Sequence, residues 1–132
     1  MSISITAFYA GILALIIVAL GINVTMHRVK LSVPLGDGSN AQMLSMIRLH
    51  GNAAEYVPLA GLLMLIYEIG GGWHMALHAA GIVLVVARLL QSWNMWETEI
   101  AGFGRRAGQG LTWLTIVVLA LLDLWQVARI AG

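Results

Sequence analysis

The sequence predicts an all-α integral membrane protein, a bundle of four transmembrane helices that forms a single membrane domain over residues 1–132. Hydrophobic residues make up 60% of the chain and charged residues only 10%, against about 25% charged residues in an average soluble domain. The apolar residues fall into four long runs, which predict helices over about 3–26, 41–69, 73–95 and 108–130. A soluble domain of this size keeps too much surface exposed to bury so many apolar side chains.

Composition also excludes several functional classes. The net charge of +1 is far too small for a protein that neutralises the phosphates of a nucleic acid. The chain contains no cysteine, which excludes a disulfide framework, a cysteine nucleophile and a cysteine-based metal site. We therefore expect neither a nucleic acid nor a metal among the ligands.

The first predicted helix carries no charge. Residues 3–22 supply roughly the 20 apolar residues that cross a bilayer. The segment before them has no positive charge, and the apolar run is longer than that of a secretory signal peptide, so we expect it to remain as a span. The polar loop that begins at His27 contains a proline and two glycines, which break helices, and Ser39 or Asn40 can cap the second helix.

The second predicted helix is roughly 43 Å long, which exceeds the thickness of the hydrocarbon core. Three consecutive glycines at 70–72 predict a tight turn, which places the third helix antiparallel to the second. A further polar loop over 97–106 then leads into the fourth helix.

Basic residues are concentrated on one side of the predicted membrane domain. Loops 1 and 3 lie on the same side and contain Arg28, Lys30, Arg105 and Arg106, whereas the other side has only Arg129. The positive-inside rule therefore predicts that loops 1 and 3 are cytoplasmic and that both termini lie outside.

Charged residues inside the spans point to a site. Arg48, Asn52 and Glu55 lie within about 60° of one another on the second helix, whereas His50 points to roughly the opposite side. Each ionisable group costs roughly 2.5–3.5 kcal/mol in the membrane, so it needs a partner or a ligand. We expect an anion-binding cavity with Glu55 as its one deep counter-charge, because five arginines converge on the basic side: Arg28, Arg48, Arg88, Arg105 and Arg106. A purely structural network of Arg48, Asn52, Glu55 and Arg88 is the alternative.

A second group of titratable residues lies towards the opposite side. His74 and His78 have the i, i+4 spacing of a metal site, but no third ligand is near them in the sequence. Asp123 falls at a similar depth on the fourth helix, so we expect it to hydrogen-bond to His74 or His78.

Residues 48–58 resemble the signature of the MAPEG family, the membrane-associated proteins of eicosanoid and glutathione metabolism. The matching pattern is R-x-H-x-N-x-x-E-x-x-P, in which Tyr56 also matches the leukotriene-forming branch. The bacterial branch is similar in weaker motifs at 35–38 and 87–89, and in Arg106 followed by Gly-Leu-Thr at 110–112.

This resemblance implies a homotrimer in the bacterial inner membrane, with three glutathione sites between neighbouring subunits that open to the cytoplasm. Arg106 or Arg105 would activate the thiol, and the spacing to 110–112 favours Arg106. The residues that would bind glutathione are Arg28, Arg48, His50, Asn52, Glu55, Tyr56 and Arg88. The tyrosines that bind glutathione in the eicosanoid enzymes are missing from 90–96, which leaves Trp93 or Trp96 to shape an acceptor site.

The resemblance further implies a glutathione transferase, with peroxide reduction as a related activity. Glutathione would be the co-substrate, and the electrophile would be apolar and arrive through membrane lipid. The alternative is a non-catalytic protein of the same fold that binds lipid or glutathione. A small proton-coupled exporter is a further alternative, but such exporters centre on an acidic residue in the first helix, which this chain lacks.

Overall fold

The computed structural model describes residues 3–93 and 102–131, with side chains as far as Arg129. Over these residues the fold is all-α, as predicted. The four helices are α1 (Ser4–Leu31), α2 (Ala41–Ile69), α3 (His74–Trp93) and α4 (Phe103–Ala131). The predicted end of helix 3 at 95, Trp96 and the first part of the third loop lie outside the described residues.

Three of these helices are long and apolar enough to cross a membrane, namely α1, α3 and α4 as far as Arg129. α2 is not among them because polar residues such as Arg48, Asn52 and Glu55 lower the mean hydropathy of its sequence. Large apolar side chains cover much of the outer surface of the bundle, as on α1 with Phe8 and Leu15. In a bilayer this exposure is favourable, because lipid tails are as apolar as these side chains.

α2 begins and ends where the sequence predicted. The side chain of Asn40 accepts a hydrogen bond from the backbone nitrogen of Met43 at 2.9 Å, so Asn40, not Ser39, is the N-cap. At the other end, Gly71 adopts a φ of 78°, which favours glycine. The nitrogen of Gly72 donates to the Tyr67 carbonyl at 2.8 Å, and this closes the tight turn into α3.

Two helix boundaries differ from the prediction. α1 continues five residues beyond 26, so His27 and Arg28 are helical, not in a loop. Polar residues do not by themselves end a helix, and basic residues in the last turn interact favourably with the helix dipole. The helix ends at Ser32, which has a φ of 55°.

α4 begins at Phe103, five residues before the predicted start at 108. The carbonyl of Gly102 accepts hydrogen bonds from the backbone nitrogens of Arg105 and Arg106, at 3.1 and 3.3 Å. Both arginines therefore lie in the first turn of a helix instead of in a loop, and their directions are set by the helix.

The helices pack into one bundle. α3 and α4 make the most extensive contact, and α2 contacts all three other helices, whereas the backbones of α1 and α4 do not come close to each other within the described residues. The ring of Tyr9 lies where a side chain at Gly81 would be, so α1 and α3 approach closely. The main core cluster consists of Tyr9, Leu13, Val57, Ala60, Met64, Tyr67, Leu77, Leu84 and Leu119.

We name the two ends of the bundle by their connections. The basic end contains the loop at 32–40 and the start of α4, and the glycine-turn end contains the turn at 70–72 and the start of α1. At the glycine-turn end, the Glu68 carboxylate accepts from the backbone nitrogens of Ile5 at 3.0 Å and Thr6 at 2.7 Å. Glu68 therefore caps the first turn of α1 from another helix.

Two further contacts join helices at the glycine-turn end. Gln126 Nε2 donates to the Gly70 carbonyl at 2.6 Å, and the Tyr9 hydroxyl lies 3.1 Å from His78 Nδ1. The expected bond between Asp123 and a histidine is wrong, because both Asp123 oxygens are buried without a hydrogen-bond partner in the described structure. α3 directs His78 towards α1, whereas Asp123 lies on α4, which does not reach α1.

Candidate functional site

A pocket of about 390 Å³ opens at the basic end of the bundle. It lies between the first half of α2, the end of α3 and the start of α4. The lining residues are Leu44, Ser45, Arg48, Leu49, Asn52, Gln91, Arg105, Arg106 and Gln109.

The pocket is strongly cationic. Three arginines line it, Arg48, Arg105 and Arg106, and none of the described lining residues is acidic. The N-terminus of α4 adds a partial positive charge at the same place. Arginine keeps its charge when it is partly buried and binds carboxylates through two parallel hydrogen bonds. The arrangement therefore suits a small anion that carries carboxylates.

The three arginines are held differently. Arg105 donates to the Ser45 hydroxyl, which ties the first turn of α4 to α2. Arg48 and Arg106 are exposed and have no hydrogen bond or ion pair with any other described residue. Among the described residues, theirs are the guanidinium groups of the pocket that no protein partner occupies.

Arg88 lies behind the pocket wall, not in it. Its side chain is 1% exposed, and its guanidinium donates to Asn52 Oδ1 at 3.1 Å, to the Gly108 carbonyl at 3.4 Å and to the Thr112 hydroxyl. Arg88 thus joins α3 to α2 and α4 and fixes the orientation of the Asn52 amide. Its contact with glutathione stays a prediction.

Sequence reasoning missed two glutamines and a serine in the pocket wall. Gln91 Nε2 donates to Asn52 Oδ1 at 3.2 Å and to Gln109 Oε1 at 3.3 Å, so the amides link all three helices. Their spacing in the sequence could have indicated them, because Gln91 follows Arg88 by one helical turn and Gln109 follows Arg105 by one helical turn. Ser45 likewise precedes Arg48 by three residues.

Besides Arg88, four of the predicted site residues lie outside this pocket in the single chain. Arg28 Nη1 donates to the carbonyls of Val33 and Gly36, at 3.2 and 2.8 Å, so Arg28 braces its own loop. His50 packs against Gly21 of α1, which confirms that it points away from Arg48.

The remaining two, Glu55 and Tyr56, lie deeper on α2. Glu55 is exposed and has no partner among the residues that the structure describes. The ring of Tyr56 meets Trp113 of α4 edge-on, with centroids 6.3 Å apart. The structure therefore brings Arg48, Asn52, Arg105 and Arg106 together, and the roles assigned to the other residues stay predictions.

Comparison with known proteins gives a family match and close relatives. A sequence profile described as the MAPEG family matches residues 6–125, a range that contains every residue of the pocket. Two curated proteins, from Escherichia coli strains K12 and CFT073, are each described as "Inner membrane protein YecN". Each is 35% identical over 121 residues, which are 92% of this chain and 91% of the relative.

Proposed function

The chain belongs to the MAPEG family, and from this premise we propose that it is an inner-membrane glutathione transferase with its basic end in the cytoplasm. It binds glutathione in the cationic pocket and activates the thiol for attack on an apolar electrophile. With a second glutathione, the same thiolate can reduce a lipid hydroperoxide to the alcohol, and glutathione disulfide and water are the other products.

The observation that carries this proposal is the set of three arginines around one pocket at the basic end. Glutathione offers two carboxylates to these cations, together with an amine and a thiol. Because the reactive sulfur belongs to the ligand, the absence of cysteine from the chain does not prevent thiol chemistry. No metal is needed for this reaction.

We assign the activation of the thiol to Arg106. A free thiol with a pKa of about 8.5 is mostly protonated at neutral pH, and lowering that pKa by about two units requires roughly 2.7 kcal/mol of preferential thiolate stabilisation. A guanidinium in a partly buried site supplies energy of this order. Arg105 is bonded to Ser45, whereas Arg106 is exposed at the pocket mouth.

We further propose that the site is completed by a neighbouring subunit of a homotrimer. Arg48 and Glu55 are exposed on the outside of the single bundle, where a charged group in contact with lipid costs roughly 2.5–3.5 kcal/mol. A second copy that covers this face removes that cost. Glu55 then meets the glutathione amine, and Arg28, His50 and Tyr56 act from the adjoining surfaces.

A second candidate function is non-catalytic lipid binding. An apolar groove of about 420 Å³ runs between α1 and α2, and a lipid chain fits its lining. The two functions differ in whether a thiolate forms. Of the residues described, no lysine or arginine lines the groove, so it has no positive charge that could stabilise a thiolate. The groove is also a place where the apolar electrophile of a transferase can rest.

The deciding experiment is ultraviolet difference absorbance of the purified protein as glutathione is added. The transferase proposal predicts a thiolate band that saturates with glutathione, and conjugation of an aryl halide in the same sample. Arg129→Ala, at the far end of α4, serves as the control and is expected to behave like the unchanged protein. Absence of saturable glutathione binding would contradict the proposal, and lipid binding without a thiolate band would favour the second candidate.

A further inference from the structure

Three side-chain amides in the pocket wall form one directed chain of hydrogen bonds. Arg88 donates to Asn52 Oδ1, and Gln91 Nε2 donates both to that same oxygen and to Gln109 Oε1. Oxygen and nitrogen of an amide are usually hard to tell apart, but a guanidinium has only donors. Because Arg88 can only donate, the Asn52 atom next to it must be the acceptor Oδ1. The Gln91 atom next to that oxygen must then be the donor Nε2.

This fixed direction leaves one buried acceptor and one buried donor of the three amides without a partner among the described residues. Gln91 Oε1 and Gln109 Nε2 are both buried and have no hydrogen-bond partner in the described structure. Gln91 is only 7% exposed. Buried polar groups without partners are rare in native proteins, and these two belong to neighbouring side chains that line the cationic pocket.

On the basis of the proposed function, we propose that Gln91 and Gln109 together bind the peptide groups of the thiol ligand. The N–H of one peptide bond donates to Gln91 Oε1, and the carbonyl of the other peptide bond accepts from Gln109 Nε2. The terminal amide torsion of glutamine is broad, so a small rotation turns both groups towards the pocket. The Asn52 anchor prevents Gln91 from exchanging the roles of its oxygen and nitrogen.

The pair gives the site a selectivity that the arginines lack. Arginine binds any carboxylate, so the three cations accept many small anionic thiols. A carboxylate has no donor for Gln91 Oε1, whereas the N–H and C=O groups of a peptide satisfy both glutamines. The pocket therefore selects thiols that contain a peptide bond over simple dicarboxylic thiols.

Calorimetric titration with two ligands tests this inference. Glutathione contains peptide bonds, and mercaptosuccinate has two carboxylates and a thiol but no peptide bond. Gln91→Met and Gln109→Met each remove one half of the pair while keeping the side-chain length. We expect each variant to weaken glutathione binding about 10-fold, the worth of one net hydrogen bond, and to leave mercaptosuccinate binding within about 2-fold.

The matched control is Gln42→Met, because Gln42 lies in the first turn of α2 but does not line the pocket. It is expected to leave the binding of both ligands unchanged. A ligand-side measurement avoids any question of folding: of the two glutathione analogues that carry one N-methyl group on a peptide nitrogen, at least one should bind the unchanged protein about 10-fold more weakly.

Each other outcome overturns the inference. Equal weakening of both ligands means that the glutamines only shape the wall or hold water, and unchanged glutathione binding by both variants or by both analogues means that no peptide bond is bound there. In those cases the unchanged protein still binds glutathione, so the proposed function stands. If the unchanged protein binds no glutathione, the proposed function fails and the inference fails with it.

Discussion

The two ends of the bundle use their polar side chains in opposite ways. At the glycine-turn end, Glu68 and Gln126 are bonded to backbone groups of other segments, and Tyr9 is bonded to His78. At the basic end, Arg48 and Arg106 are exposed with no partner in the described part of the chain. The contrast teaches that the bonded polar groups at the glycine-turn end stabilise the fold, whereas these two arginines make no hydrogen bond or ion pair that stabilises it within the described residues.

The comparison predicts its largest effect at the start of α4. Arg106→Ala should lower the rate of glutathione conjugation by roughly 100-fold or more, because the loss of one preorganised hydrogen-bond donor to a reacting anion reduces the rate by about that factor. Glutathione binding should fall far less, since Arg48 and Arg105 remain. Steady-state rates and calorimetric binding of the same preparation separate the two effects.

Arg129→Ala is the control for this change, because Arg129 packs on Trp125 at the other end, with its guanidinium carbon 5.0 Å from the ring centroid. Normal conjugation by Arg106→Ala would show that this arginine does not activate the thiol. Arg105→Ala should then be measured in its place.

The next effect concerns affinity. Arg48→Gln should weaken glutathione binding by roughly 10- to 100-fold, which corresponds to the loss of a charge-assisted hydrogen bond of about 1.5–3 kcal/mol. The midpoint of thermal unfolding should hardly change, since Arg48 makes no hydrogen bond or ion pair with another described residue. A drop in unfolding temperature with intact binding would mean that Arg48 is structural, as in the alternative network.

At the glycine-turn end the same kind of change should have the opposite result. Glu68→Ala leaves two backbone donors of α1 without their acceptor, so we expect a loss of about 1–2 kcal/mol of stability. Glutathione affinity should stay the same. Thermal unfolding in detergent measures the loss, and Glu68→Gln, which keeps one acceptor oxygen, should lose less. Weakened glutathione binding in either variant would break the contrast between the two ends.

The smallest effect is expected at Asp123, the exception at the glycine-turn end. Its carboxylate oxygens have no partner in the described structure, and removing an unpaired ionisable group from a span relieves a cost. Asp123→Asn should therefore change stability by less than about 1 kcal/mol or increase it. A clear destabilisation would reveal a partner for the carboxylate in the assembled protein.

The sequence predicted the parts of the fold that depend on local signals. α2 has the expected bounds because Asn40 and the glycines at 70–72 act on their own neighbours. The end of α1 and the start of α4 differ from the prediction, because charged residues by themselves do not end a helix. Helices instead continue through polar residues until a residue such as Ser32 takes up a left-handed conformation.

The site shows the same division. Arg48 and Asn52 share one face of a helix, so their spacing alone places them together. Gln91 and Gln109 come together only through the packing of α3 on α4. The spacing of residues within one helix cannot predict such a contact. The burial of Arg88 also depends on this packing, because Gly108 allows the two helices to approach closely.

The Glu68 contact has a mechanical consequence for access from the bilayer. α1 and α2 are joined covalently by the loop at 32–40, and Glu68 fastens their far ends to each other. A hairpin fastened at both ends cannot splay apart. We therefore expect a lipid-borne reactant to lie on the surface of this pair, in the apolar groove between α1 and α2, and not to part the two helices.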